Sequence, residues 1–90
     1  MKSTVHIVVN GRVQGVYFRA NTQKQAKALA LTGYVRNRES GEVEIVSTGE
    51  TQQLNALIDW CHKGPLLAKV LSVKVSHVSL DNSFVDFEIR

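Results

Sequence analysis

Ninety residues leave room for one hydrophobic core and no second, so a single domain spanning residues 1–90 is expected. With 43% apolar and 21% charged residues the chain has the make-up of an ordinary globule, which excludes a disordered polyelectrolyte. A formal net charge of +3 points to an anionic partner, and no apolar run approaches the roughly 20 residues that span a bilayer.

The single cysteine, Cys61, excludes an internal disulfide and favours a reducing compartment. Met1-Lys2-Ser3-Thr4-Val5 has no signal-peptide character, so a cytoplasmic protein is expected. Four of the five arginines, Arg12, Arg19, Arg36 and Arg38, fall in the first 38 residues beside glycine-punctuated segments. The six lysines are scattered and read as solvated surface. Arginine clustering therefore favours a small anionic site over a long basic stripe.

In chain order, "TVHIVVNG" alternates Val5, Ile7 and Val9 against His6, Val8 and Asn10, the period of a strand with one buried face. "GRVQGVYFR" (residues 11–19) follows as a glycine-rich loop. "FRANTQKQAKALALTG" holds helix formers with Phe18, Thr22, Ala26, Leu29 and Ala30 on one stripe, and Gly33 is its expected stop. "YVRNR" and "EVEIVST" flank Glu39-Ser40-Gly41 and read as a hairpin. Beyond Gly49, the spacing of Leu54, Leu57, Ile58 and Cys61 predicts a helix that ends at Gly64-Pro65. "VLSVKVSHV" and "FVDFEI" alternate Leu71, Val73 and Val75, then Val85, Phe87 and Ile89, as strands with one buried face.

The order is β-α-β-β-α-β with an additional short C-terminal strand. Two amphipathic helices cover only one face of a sheet whose strands alternate. The fold class is therefore α+β: a ferredoxin-like split β-α-β sandwich, with both helices on one face of a mainly antiparallel sheet. In that topology the first two strands run parallel with the third between them. Their C-terminal ends then lie roughly 10 Å apart at one end of the sheet, where the first helix also begins. Its free N–H groups and positive dipole end favour an anion, and Arg19 stands in that first turn.

Gly11 and Gly15 allow a loop whose successive N–H groups curl into a phosphate-sized nest. Arg19 adds a guanidinium that can fork onto two oxygens, although a tight strand-to-helix turn with an exposed arginine has the same pattern. Asn37 fits either turn chemistry or the orientation of a water molecule. Gln14 and Tyr17 are compatible with ligand contact and with loop packing alike. Cys61 lies on an apolar stripe as a core residue, and His6, His62 and His77 share no metal-ligand spacing. Any enzyme built on this chain works by positioning and electrostatics.

Two long segments resemble the acylphosphatase family. "GRVQGVYFR" matches that family's first signature throughout. "GYVRNRESGEVEIVSTG" (residues 33–49) matches the second through its glycine, aromatic, Asn37, Gly41-x-Val43 and Gly49. The length and the element order also fit; the departure is Gly64-Pro65-Leu66-Leu67, ahead of the fourth strand. The resemblance implies hydrolysis of the carboxyl–phosphate bond of acyl phosphates to a carboxylate and inorganic phosphate. It implies that Arg19 and the loop Val13, Gln14, Gly15, Val16, Tyr17 and Phe18 bind the phosphate, while Asn37 orients the attacking water. It implies no metal, no cofactor, no nucleic-acid or membrane partner, and a monomer.

An RNA-binding module on the same topology would place stacking aromatics on its central strands, and "VHIVVN" and "EVEIVST" have none. A small-ligand regulatory domain of this fold is usually fused to an enzyme. A larger carbamoyl-transfer maturation protein begins with a similar domain but carries zinc-finger cysteines. The free-standing hydrolase is the expectation.

Overall fold

The computed structural model describes residues 1–90. The elements are β1 (Lys2–Arg12), α1 (Phe18–Ala28), β2 (Thr32–Asn37), β3 (Val43–Glu50), α2 (Thr51–Lys63), β4 (Lys69–Val78) and β5 (Phe87–Ile89). They form one five-stranded sheet in the order β4-β1-β3-β2-β5. β3 lies between β1 and β2, as the split β-α-β reading requires. Every pairing is antiparallel except that of β2 with β5.

Register explains the core. Val5, Ile7 and Val9 of β1 face Ser47, Ile45 and Val43 of β3, and Val35 of β2 faces Ile45. All six of these apolar side chains are buried beneath Phe18, Thr22 and Ala26 of α1 and Leu54, Leu57 and Cys61 of α2. Burying such a side chain contributes roughly 1.5–3 kcal/mol, so this layer dominates the stability. The intervening residues, His6, Val8, Arg36 and Glu44 among them, lie on the helix-free face.

Three sequence expectations change at their ends. The first helix stops at Ala28, not near Gly33. Leu31 N donates to Ala26 O (2.9 Å) and Ala30 N to Lys27 O (3.1 Å), the paired bonds of a Schellman cap, with Ala30 at φ 57°. Gly33 instead lies in β2 at φ 134°, where a Cβ would stand 1.9 Å from Val46 O. Strand pairing at close backbone approach has overridden helix propensity there.

β4 is an edge strand and largely exposed. Its register slips at Asn10/Gly11, so Leu71 is left over as a bulge residue and points outward, while Val73 alone of the expected three packs on the core. The last strand shortens to three residues with only Phe87 buried; Val85 lies outside it and is exposed. Because β4 and β5 occupy opposite edges, residues 79–86 cross the sheet. They are pinned midway by Asp81, which donates its N–H to Thr4 Oγ1 (2.9 Å) and accepts from Thr48 Oγ1 (2.8 Å).

Candidate active site

The loop after β1 owes its shape to a few residues. Gly11 sits at φ 129°, and a Cβ there would lie 2.2 Å from Lys69 O, so β1 and β4 can approach only with glycine. Gly15 (φ 73°) and Tyr17 (φ 65°) then take left-handed conformations that curl the chain into the start of α1. Val13 and Val16 plug the loop into the core, and Phe18 packs on Trp60 with ring centroids 5.3 Å apart. Gln14 turns away from the loop. Its Nε2 donates to Arg38 O (2.8 Å) and Glu42 O (3.0 Å), fastening the loop to the β2–β3 turn.

The consequence is a run of unused donors. No backbone N–H from Val13 to Ala20 donates to a protein acceptor, and Asn21 N, bonded to Tyr17 O at 3.1 Å, is the first that does. No side chain caps α1. Successive free N–H groups around alternating backbone conformations make an anion nest, strengthened by the dipole end of the helix.

A cavity of about 360 Å³ opens on this nest, lined by Val13, Gly15, Tyr17, Phe18, Arg19, Ala20, Asn37 and Ile89. Arg19 is exposed, and none of the structure's salt bridges involves it. Asn37, at the end of β2, enters from the other side with Oδ1 buried and without a hydrogen-bond partner. A buried acceptor without a donor costs about 1–3 kcal/mol, so Asn37 keeps an unmet acceptor beside the cavity.

Six of the eight residues singled out from the sequence thus line one cavity: Val13, Gly15, Tyr17, Phe18, Arg19 and Asn37. Gln14 and Val16 do not; one is spent on the hairpin and the other on the core. Ala20 and Ile89 went unnoticed. Ala20 could have been found by completing the first helical turn, whereas Ile89 depends on β5 lying beside β2.

Arg36 and Arg38 are excluded from the cavity. Both bond to Glu44 on the helix-free face, where Arg38 Nη2 lies 3.2 Å and His6 Nε2 2.8 Å from Glu44 Oε2. Burial pushes the Glu44 carboxyl upward, but the hydrogen bonds from His6 and Arg36 and the two arginine charges outweigh it, holding it below its ordinary value. Burial pushes the Cys61 thiol up to about 12, far from any nucleophilic use. No three His, Cys, Asp or Glu side chains converge as metal ligands.

A loop of free amides, an unpaired guanidinium and an aimed carboxamide suit a tetrahedral anion of several oxygens. A strand-loop-helix site of this kind, at one end of a ferredoxin-like sandwich, has the make-up that phosphoryl-binding proteins use.

Comparison with known proteins is consistent with that class. The family model described as Acylphosphatase matches residues 5–89. An acylphosphatase of Marinobacter nauticus is 50% identical over 82 residues, covering 91% of this chain and 89% of that one. The structure of an acylphosphatase from Coxiella burnetii superposes with a TM-score of 0.95 at 37% identity, covering 99% of this chain and 93% of that one. The crystal structure of acylphosphatase from Bacillus subtilis gives 0.94 at 33% identity, covering 100% and 99%. The chain belongs to the acylphosphatase family.

Proposed function

We infer that the family's reaction, hydrolysis of acyl phosphates to a carboxylate and inorganic phosphate, runs in the Arg19–Asn37 cavity. The observation that carries this reading is the unpartnered, buried Oδ1 of Asn37 on the same cavity as the unpaired loop amides. The amides of residues 13 to 20 and the Arg19 guanidinium hold the phosphoryl oxygens. Asn37 Oδ1 accepts a hydrogen bond from water and aims its oxygen at phosphorus.

The water oxygen forms the new P–O bond while the bond from phosphorus to the carboxyl oxygen breaks. Its electron pair leaves with the carboxylate. No side chain on the cavity is a general base, so the water's proton passes to a phosphoryl oxygen of the substrate. An acyl phosphate has a good leaving group, and fixed geometry with fixed charge is a sufficient catalyst for it.

The same reading takes residues 1–90 as one catalytic domain acting as a monomer in the cytoplasm, on a small acyl phosphate and without metal, cofactor, nucleic acid or membrane. The lone and buried Cys61 supports the reducing setting. The test is phosphate release from benzoyl phosphate with and without a strong chelator. Release at an equal rate in both is expected. Absence of release, or a requirement for added magnesium, overturns the reading.

A further inference from the structure

The cavity holds more than phosphate needs, and the acyl group must go somewhere. Next to it lies a second, open cavity of about 340 Å³ lined by Val16, Tyr17, Asn21, Pro65, Leu66 and Leu67. Tyr17 borders both cavities, so the two adjoin at one residue of the loop. Its apolar rim is conspicuously bare: Tyr17 is 72% exposed, Leu66 98% and Leu67 60%. Leu66 and Leu67 lie outside both family signatures, in the turn ahead of β4, and are not part of the core. Three large apolar residues exposed beside a polar site mark a place where something apolar rests.

The sheet order decides what that is. Asn37 ends β2 and Ile89 belongs to β5, both on one side of the β1 loop, whereas Pro65–Leu67 lead into β4 at the opposite edge. In phosphoryl transfer the attacking and leaving oxygens lie roughly in line through phosphorus. A water held by Asn37 approaches from the β2 side, so the leaving carboxylate, with its acyl group, points toward β4. That is the side of Tyr17, Leu66 and Leu67.

We propose that Tyr17, Leu66 and Leu67 form a subsite for the acyl group of the substrate, and that the preferred substrates carry aromatic or other bulky apolar acyl groups. The inference rests on the reading of Asn37 as the residue that positions water. Ile89 borders the water side of the cavity and takes no part in the subsite.

The experiment compares kcat/KM for benzoyl phosphate with that for acetyl phosphate and follows their ratio. The unmodified protein is set beside Leu66→Ser/Leu67→Ser, Ile89→Ser and, as a remote exposed apolar residue, Val85→Ser, with folding of each checked by circular dichroism. Leu66 and Leu67 are exposed, so their replacement leaves the core intact. The double variant is expected to lower the ratio about tenfold, the order of discrimination that a partial apolar pocket supplies. Val85→Ser is expected to leave the ratio unchanged. A ratio in the double variant within about twofold of the unmodified protein overturns the subsite, as does a loss confined to Ile89→Ser. Absence of phosphate release from either substrate by the unmodified protein is a different result; it overturns the functional reading and this inference with it.

Discussion

Arginines do opposite work at two places in this molecule. On the helix-free face Arg36 and Arg38 converge on Glu44, which also bonds His6, and Arg38 reaches Glu42 as well (3.2 Å). Both arginines there have a carboxylate partner. At the end of the sheet Arg19 has none, the loop amides have no acceptors, and Asn37 Oδ1 has no donor. The first region is satisfied by the protein and contributes to its stability; the second keeps unmet hydrogen-bonding groups, which the proposed substrate would satisfy. Neighbouring residues on β2 part between the two, since Asn37 faces the helices and its neighbours Arg36 and Arg38 face away.

The largest expected effects lie in the unsatisfied region. Asn37→Ala should lower kcat by roughly 10² or more, the cost of deleting one positioned polar group, while inhibition by inorganic phosphate stays near that of the unmodified protein. Arg19→Ala should weaken phosphate inhibition and lower kcat together, because in the proposed mechanism the guanidinium holds the phosphoryl group before and during attack. Arg19→Lys should rescue little, since an ammonium cannot reproduce a forked pair of hydrogen bonds. The measurements are kcat and the phosphate inhibition constant. Equal loss of phosphate affinity in Asn37→Ala and Arg19→Ala would erase the distinction between water and phosphate ligands.

How much of this was legible beforehand follows from which interactions are local. The β1 alternation, the glycine-rich loop and the stripe on α2 are patterns within one element, and they marked the sheet, the loop that borders the cavity and the core. Arg19 and Asn37 line one cavity because split β-α-β topology brings two strand ends together. The Ala30 cap was hidden because a Schellman motif usually shows itself by glycine, and the glycine nearby, Gly33, is required by the backbone of Val46. Ile89 and the exposure of Leu71 were hidden for one reason. Both depend on which strand lies at which edge, and on a bulge that no alternation in β4 announces. The four clustered arginines looked alike in sequence because the carboxylate that claims two of them is set by cross-strand pairing with Arg36.

Intermediate effects belong to the satisfied region. Glu44→Gln removes the charge that Arg36, Arg38 and His6 share, and should cost about 1–3 kcal/mol in urea unfolding. The lower half of that range is expected, because both arginines are partly exposed and screened by water. kcat should stay close to the unmodified value. A fall as deep as that of Asn37→Ala would show that the two regions are coupled.

The same carboxylate predicts a pH dependence. The folded value for Glu44 lies below its ordinary 4.5, so the native state holds fewer protons there than the unfolded chain. Its contribution is complete above about 4.5 and is lost as pH falls through the lower folded value. Unfolding midpoints followed downward from neutral pH should therefore decline, with a shallower decline in Glu44→Gln. Identical slopes would mean that the pairing in the folded protein is not reflected in its stability.

The smallest effect is expected at Cys61, in the apolar layer between the two regions. The thiol is fully buried and accepts no role at the cavity. Cys61→Ala removes one buried sulfur and should cost about 1 kcal/mol, with kcat and phosphate inhibition unchanged. Burial also raises the thiol from its ordinary 9.0 to about 12, so the folded protein keeps a proton that the unfolded chain releases. The associated stability is complete below about 9 and fades as pH climbs toward 12. In the alanine variant that alkaline decline should be shallower. Alkylating reagents should accordingly modify Cys61 only as fast as the core opens, in step with unfolding induced by urea. Rapid alkylation of the native protein, accompanied by loss of phosphate release, would place the thiol at the site and remove the contrast between a chain satisfied within itself and one end left open for substrate.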